Sequence, residues 1–305
     1  MRIVFMGTPD FAVASLAALL NAGFDIVGVV TAPDKPAGRG QKLNESAVKK
    51  YAMENNLKVL QPEKLKNPQF IDELRSLNAD LQVVVAFRML PEIVWDMPQK
   101  GTINLHASLL PQYRGAAPIN WAIINGEKES GVSTFFLKQQ IDTGNVLFTE
   151  KLVIADDMTA GELHDELMGL GANLLTKTVK AVENNDYREK PQESFNDQDL
   201  KHAPKIFKED CKIDWNLVND VVYNKIRGLS PYPTAFTQFL DKGLKIYKAS
   251  KENTEPGISA GAFLSDGKTY LKFATKNGFI SVKEIQQEGK KKMFIEDFLR
   301  GIRLD

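Results

Sequence analysis

Short apolar runs alternate with helix-like segments from residue 1 to about residue 186. The runs RIVFMG, DIVGVVT, DLQVVVAF and GTINLHAS have the lengths of buried strands, and DLQVVVAF is β-branched enough to be covered on both faces. Segments such as DFAVASLAALLNAG and QFIDELRSL, which have helical periodicity, separate them. Strand–helix alternation of this kind indicates parallel strands with helices packed on them. We therefore expect a doubly wound, mostly parallel α/β sheet.

The pattern changes after Gly131, where two strand-like runs flank the tight segment QQIDTG and a long helix follows. A polar stretch with little periodicity comes next and predicts a linker. One further helix then precedes about five short strands, which favours a small β-barrel. A chain of 305 residues is long for one core. The predicted division is a first domain over 1–188, a linker over 189–207 and a barrel domain over 208–305.

Charge, cysteine content and the lengths of apolar stretches indicate the compartment and the kinds of partner that the chain can have. The net charge is zero, which favours no class of partner, but from Lys208 onward basic residues exceed acidic ones by about four. The single cysteine, Cys211, excludes an internal disulfide and fits a reducing compartment. The first residues do not form a signal peptide, and no apolar stretch approaches the ~20 residues of a membrane span. We expect a cytoplasmic protein with no membrane partner.

Asn104 and His106 form the first candidate site. Residues i and i+2 of a strand point to one face, so both side chains project together near the end of their strand. Open α/β sheets bind ligands at that end. Asp142, in the turn IDTG, is the natural third member, because a carboxylate orients an imidazole and an amide can stabilise an oxyanion. Taken singly, an Asn-x-His pair is more often structural, and Asp-Thr-Gly is an ordinary turn.

Other motifs are weaker. MGTPDFA follows a strand and opens a helix, but it has one glycine where a dinucleotide fingerprint has three. The chain has no G-x-S-x-G nucleophile motif, and no His, Cys or Asp cluster has metal-ligand spacing. Acyl transfer to an amine, without a covalent enzyme intermediate and without a metal, is the chemistry that Asn, His and Asp favour together.

The segment NLHASLLPQYRGAAPINWAIINGE together with IDTG resembles the 10-formyltetrahydrofolate-dependent formyltransferases. VFMGTPDFA, TAPDKPAGRGQKL, NKIRGLSPYPTAF and EGKKKMF are similar to the members that act on methionyl-tRNA, and the resemblance covers nearly the whole chain. It implies a Rossmann-like catalytic domain, a linker and a C-terminal OB-type barrel. It also implies a catalytic triad of Asn104, His106 and Asp142.

The resemblance further implies 10-formyltetrahydrofolate as co-substrate, with the pterin held by backbone contacts of AFRML. The folate-binding residues that it implies are Arg88, Met89, Leu90, Ser108, Leu109, Leu110 and Pro111. The chain differs from related enzymes at Phe87 and Arg88, where they commonly carry Tyr-Gly and an additional residue, and at Gln140, where they often carry glycine.

Two basic sets are candidates for binding the initiator methionyl-tRNA. Lys35, Arg39 and Lys42 lie in the loop PDKPAGRGQK, where Pro33 and Pro36 disfavour regular structure. Because the loop follows a parallel strand, it lies on the active-site edge of the sheet. The second set is Lys290, Lys291 and Lys292, with Lys242, Lys245 and Lys248 on the same presumed barrel.

The sequence thus predicts transfer of a formyl group to the α-amine of methionyl-tRNA. The alternatives are a formyltransferase for a small amino-sugar or nucleotide, a formyl-folate hydrolase, and a non-catalytic folate-binding or RNA-binding module. The intact triad argues against a module that only binds, and no obligate protein partner is evident.

Overall fold

The computed structural model of the chain describes residues 1–37, 42–192 and 199–302. The strands are β1 (Arg2–Gly7), β2 (Asp25–Val30), β3 (Lys35–Ala37), β4 (Lys42–Asn44), β5 (Val59–Leu60), β6 (Leu81–Val85), β7 (Thr102–His106), β8 (Arg114–Gly115), β9 (Glu129–Phe136), β10 (Val146–Val153), β11 (His202–Ala203), β12 (Ala235–Phe239), β13 (Lys242–Glu252), β14 (Phe263–Ser265), β15 (Leu271–Ala274), β16 (Phe279–Gln287) and β17 (Met293–Phe294). The helices are α1 (Asp10–Asn21), α2 (Ala47–Glu54), α3 (Pro68–Ser76), α4 (Glu92–Trp95), α5 (Pro118–Ile124), α6 (Ala160–Glu183), α7 (Asn219–Gly228) and α8 (Ile295–Arg300), with a 3₁₀ turn at Glu209–Cys211.

The chain forms two compact units. The first unit comprises Met1–Arg114, Gly131–Leu152 and His164–Lys201, and the second comprises Gly115–Ser130, Val153–Leu163 and His202–Asp305. This grouping differs from the linear division predicted from sequence, because two segments before residue 188 belong to the second unit. The predicted domain boundaries themselves stay a prediction.

A seven-stranded sheet organises the first unit, in the order β10-β9-β7-β6-β1-β2-β5. The five strands β7, β6, β1, β2 and β5 run parallel to one another, and β9 runs antiparallel to β7. This confirms the mostly parallel α/β sheet. All five residues of β6 are buried, as the β-branched run predicts for a strand covered on both faces.

The strand order reverses beside β1. The chain passes from β1 to β2 on one side, and β6 and β7 lie on the other. Ligands bind open α/β sheets outside the carboxyl ends of strands near such a switch point. The segment after β6 and the end of β7 carry the predicted folate and catalytic residues, so the topology places both beside this switch point.

The loop after β2 contains more regular structure than its prolines predicted. Strands β3 and β4 form an antiparallel ladder in which Pro36 lies opposite Leu43. The expectation of an irregular loop is therefore wrong for the described residues. A two-stranded ladder has a free outer side on each strand, and there the missing N–H of a proline is tolerated.

An antiparallel sheet in the order β12-β13-β16-β15-β14 forms the second unit, and β17 pairs with β16. Trp215 stacks on Phe273 with ring centroids 4.7 Å apart, and its indole N–H donates to the Thr237 hydroxyl at 3.0 Å. Register shifts beside Lys248 mark a bulge in β13, and bulges bend a sheet. The sequence missed β17 because two residues carry no periodicity. The closed OB-type barrel stays a prediction.

The sequence also missed the short helices α4, α5 and α8. Each spans four to seven residues, which is too few to establish a helical period. Among the residues that the structure describes, no helix combines the length and apolar content that crossing a membrane requires.

Candidate active site

The candidate site begins at the carboxyl end of β7. Asn104 and His106 point to the same face of the sheet, two residues apart. Asn104 lies between Val84 of β6 and Phe135 of β9, and His106 pairs with Ser133 of β9. His106 is only 7 % exposed, while Asn104 is half-buried. The second half of β7 (Thr102–His106) thus carries two polar side chains at a ligand-binding edge.

The two ring nitrogens of His106 have different neighbours. Nε2 lies 2.9 Å from the backbone oxygen of Tyr113, and Nδ1 lies 3.8 Å from Oδ2 of Asp142. A carbonyl oxygen can only accept, so Nε2 carries a proton and Nδ1 faces the carboxylate. The distance of 3.8 Å from Nδ1 of His106 to Oδ2 of Asp142 is within the range of an ion pair but is longer than a direct hydrogen bond.

Asp142 lies in the loop between β9 and β10. Its φ of 53° is left-handed, a conformation that Asp and Asn tolerate better than most residues. The Thr143 hydroxyl donates to the Gln140 carbonyl at 3.0 Å and closes the turn. A Cβ atom on Gly144 would stand 1.6 Å from the Phe136 carbonyl oxygen, so only glycine fits there. Each residue of the Asp-Thr-Gly sequence therefore suits the backbone conformation of this loop, and Asp142 also supplies the carboxylate.

The loop after His106 folds back on itself. The Ser108 hydroxyl donates to the Gln112 carbonyl at 2.7 Å, and Ser133 links the Ser108 carbonyl to the Leu110 N–H. Leu110 and Pro111 are joined by a cis peptide bond. Of the predicted folate residues here, Ser108 is buried with its hydroxyl engaged within the loop, and Leu110 is 9 % exposed. Leu109 and Pro111 are half-buried.

The segment after β6 lines an open cavity of about 1110 Å³. The lining residues are Lys64, Leu65, Lys66, Arg88, Met89, Leu90, Pro91, Glu92, Ile93, Trp95 and Gln139. Three of the seven predicted folate residues are among them, and Gln139 belongs to the loop that carries Asp142. The cavity lined by Arg88, Met89 and Leu90 therefore borders the loop that carries the predicted catalytic Asp142. The other predicted folate-binding residues, Ser108–Pro111, are not part of this lining.

Arg88 fixes one wall of that cavity. Its guanidinium donates to the backbone oxygens of Pro62 and Glu63 and lies over the Phe87 ring. Burial lowers the pKa of Arg88, although a guanidinium remains charged at neutral pH. Leu90 packs in the core, whereas Met89 is 72 % exposed and free to contact a ligand.

Comparisons with known sequences show the family of the chain. A family model described as formyl transferase matches residues 1–179, and a second, for the formyl transferase C-terminal domain, matches residues 205–303. The chain belongs to the formyl transferase family. A methionyl-tRNA formyltransferase of Parabacteroides distasonis is 53% identical over 311 residues, covering 99% of this chain and 96% of the relative. The one of Flavobacterium johnsoniae is 52% identical over 306 residues, with coverages of 99% and 96%.

Solved structures of other proteins share the fold. The sugar 3N-formyl transferase WlaRD, crystallised with dTDP and 5-N-formyl-THF, aligns with a TM-score of 0.68 and 23% identity over 95% of this chain and 99% of that one. HypX from Aquifex aeolicus, in complex with tetrahydrofolic acid, aligns with a TM-score of 0.67 and 18% identity. That alignment covers 100% of this chain and 48% of HypX.

The predicted tRNA-binding residues of this formyl transferase have varied settings. Lys35 is exposed on β3, Lys42 begins β4, and Arg39 lies outside the described residues. In the turn between β16 and β17, Lys292 pairs with Glu284 at 2.6 Å and lies over the Tyr247 ring. Lys290 lies over the Phe298 ring, and Lys291 is exposed.

Two neighbours of the site were missed by sequence reasoning. The Tyr113 carbonyl contacts His106, but a backbone group gives no residue-type signal. Gln192 hydrogen-bonds the loop that carries Asp142, yet it lies in the polar stretch predicted as a linker. Lys190 of the same stretch exchanges two backbone hydrogen bonds with Val146, so this end of the stretch is attached to the sheet unit.

Proposed function

We propose that this chain transfers the formyl group of 10-formyltetrahydrofolate to the α-amine of initiator methionyl-tRNA, for translation initiation. The observation that carries the proposal is the identity of 52–53% to methionyl-tRNA formyltransferases over 99% of the chain. The geometry supports it, because an amide and an imidazole share one face at the switch point and a carboxylate lies beside the imidazole. Translation initiation implies the cytoplasm as the compartment.

The amine nitrogen attacks the formyl carbon and gives a tetrahedral oxyanion. The Asn104 amide donates to that oxygen, which is worth about 3 kcal/mol for a well-placed donor, and the positive charge of protonated His106 stabilises it electrostatically, since Nε2 of the ring already donates to Tyr113 and Nδ1 faces Asp142. The amine then loses a proton, the bond from the formyl carbon to N10 breaks, and N10 gains a proton. Asp142 holds the imidazolium and assists this proton transfer through water, because 3.8 Å leaves a gap between the two groups. Holding both substrates together supplies much of the remaining rate.

We assign the folate to the cavity beside Arg88, Met89 and Leu90 and to the loop Ser108–Pro111. The catalytic domain is proposed as 1–188, and residues 208–305 are proposed as an OB-type tRNA-binding barrel joined to it by 189–207. The basic turn at Lys290–Lys292 and the loop from Lys35 to Lys42 are the proposed contacts with the tRNA backbone. No metal takes part in this scheme.

The test offers 10-formyltetrahydrofolate with charged initiator tRNA, charged elongator methionine tRNA, or no acceptor, and follows labelled formyl groups. Formyl-methionyl-tRNA from the initiator alone is the expected product. Formate release without acceptor would indicate a hydrolase. Transfer to a nucleotide-linked amino-sugar, as the name of WlaRD suggests for that protein, would support the small-amine alternative.

A further inference from the structure

Gln192 is a buried amide whose hydrogen-bonding capacity is fully used. The residue is 5 % exposed. Its Nε2 donates to the backbone oxygen of Asp142 at 3.1 Å and to that of Gly144 at 2.6 Å. Its Oε1 accepts from Nε and Nη2 of Arg114 at 3.1 Å and 2.8 Å. Two donors and two acceptor sites are all that a glutamine side chain has.

The chemistry of the partners fixes which end of the amide points where. Carbonyl oxygens only accept and a guanidinium only donates, so the orientation with Nε2 toward the loop is the one that satisfies all four bonds. A glutamate in this position would set a carboxylate oxygen against two carbonyl oxygens. A methionine would keep the length and leave two carbonyls and a guanidinium without these partners. The site therefore selects an amide specifically.

The two ends of Gln192 reach the two loops on either side of the His106 ring. On one side, Arg114 directly follows Tyr113, whose carbonyl binds Nε2 of the imidazole. On the other side, Asp142 faces Nδ1 at 3.8 Å, and its peptide oxygen is bound by Gln192. His106, Tyr113–Arg114, Gln192 and Asp142 thus close a ring of contacts.

We propose that Gln192 is a positioning residue for formyl transfer, which sets the place of Asp142 relative to His106 and joins the two loops that hold the imidazole. The inference rests on the proposed function for its kinetic consequence. Asp142 adopts a left-handed backbone in a turn, and fixing the flanking carbonyls fixes the direction of its carboxylate. A displacement of about 1 Å from a productive geometry can cost ~100-fold in rate, so this anchoring is kinetically significant.

The kinetic test compares Gln192→Glu and Gln192→Met with wild type in full-length protein. Gln69→Glu, the same chemical change at an exposed residue of α3, is the matched control. We expect kcat to fall by about 10-fold or more in both Gln192 variants, with KM for 10-formyltetrahydrofolate and for methionyl-tRNA within about 2-fold of wild type. Wild-type kcat in a folded Gln192→Met protein would overturn the inference.

A double variant separates positioning of Asp142 from general loss of structure. If Gln192 acts through Asp142, then Gln192→Met lowers kcat much less in an Asp142→Asn background than in wild type. Losses that simply multiply would show that Gln192 acts elsewhere and would overturn the inference.

Hydrogen exchange gives a readout that does not depend on turnover. The backbone amides from Thr143 to Asn145 should exchange faster in Gln192→Met than in wild type, while the amides of β6 stay unchanged. Unchanged exchange in the loop would overturn the inference whether or not the protein transfers formyl groups. A wild-type protein that transfers none would instead contradict the proposed function, and the exchange result would still decide the role of Gln192.

Discussion

The Nε2 atom of His106 lies 2.9 Å from the backbone oxygen of Tyr113, and this contact turns Nδ1 toward Asp142. The imidazole is therefore oriented by a backbone group as well as by the Asp142 carboxylate. The contact joins two groups of the protein itself, so it involves no atom of either substrate. In many catalytic histidines, a hydrogen bond from one ring nitrogen determines the protonation of the other nitrogen, and the contact of Nε2 with Tyr113 corresponds to that bond.

His106→Ala should lower kcat for methionyl-tRNA by at least ~100-fold, the range of acid–base and oxyanion contributions. One buried hydrogen bond is lost, which costs about 1 kcal/mol of unfolding free energy, so the protein still folds. Single-turnover formyl transfer and thermal unfolding measure the two effects. His164→Ala on α6 is the control and should retain activity. A folded His106→Ala protein with near-normal turnover would contradict the catalytic assignment.

Gly144→Ala should distort the loop that carries Asp142, because the added Cβ meets the Phe136 carbonyl oxygen. We expect a loss of about 1–3 kcal/mol of unfolding free energy, as for overpacked sites, together with lower kcat. Gly169→Ala provides the matched control, since Gly169 is exposed within α6 and has open space around it. That change should stabilise the protein by about 0.5–1 kcal/mol without affecting kcat. Denaturant unfolding and steady-state kinetics of both variants check the contrast.

Arg88→Ala should weaken folate binding selectively. The guanidinium supports the cavity wall through the Pro62 and Glu63 carbonyls, and its loss leaves that wall unsupported. We expect Kd for 10-formyltetrahydrofolate to rise by about 10-fold, equivalent to ~1.4 kcal/mol, with KM for methionyl-tRNA unchanged. Arg75→Ala, which removes an exposed arginine of α3, is the control. Titration of the folate by fluorescence measures Kd, and equal affinities in wild type and Arg88→Ala would refute the assignment of this cavity.

Lys291→Ala should reduce kcat/KM for methionyl-tRNA and make its dependence on salt shallower, because one phosphate contact is lost. Lys291 is exposed, whereas Lys292 already pairs with Glu284, so Lys292→Ala should have the smaller effect. The measurement is kcat/KM against salt concentration, with Lys180→Ala as an exposed control on α6. If the plots of kcat/KM against salt concentration were the same for Lys291→Ala and wild type, the proposal that this turn contacts the tRNA would be contradicted.

The parallel sheet and the convergence of three side chains could be predicted from sequence because they depend on local periodicity. The period of two in β7 places Asn104 beside His106, and the loop between the adjacent strands β9 and β10 brings Asp142 toward the same edge. The hairpin at Pro36 could not be predicted from residue propensities, which disfavour a strand at proline. Proline is tolerated there because β3 pairs with β4 on one side only, and this pairing is not visible in the local sequence.

The supporting contacts of the site escaped prediction for a different reason. Gln192 lies 50 residues from Asp142 and 78 from Arg114, in a stretch without periodicity, and two of its four hydrogen-bonding partners are backbone oxygens. No residue pattern encodes a hydrogen bond to a carbonyl so distant in sequence. The resemblance to a family predicts candidate reacting groups but does not identify the residues that position them.

The position of Gln192 in the chain also bears on how the protein is made. Synthesis proceeds from the amino terminus, and domains fold as they emerge from the ribosome. All seven strands of the parallel sheet, and both Arg114 and Asp142, are translated before Gln192. A nascent chain can therefore assemble the sheet while the loops beside His106 still lack their common anchor. The candidate site acquires that anchor only when the chain has been translated as far as Gln192.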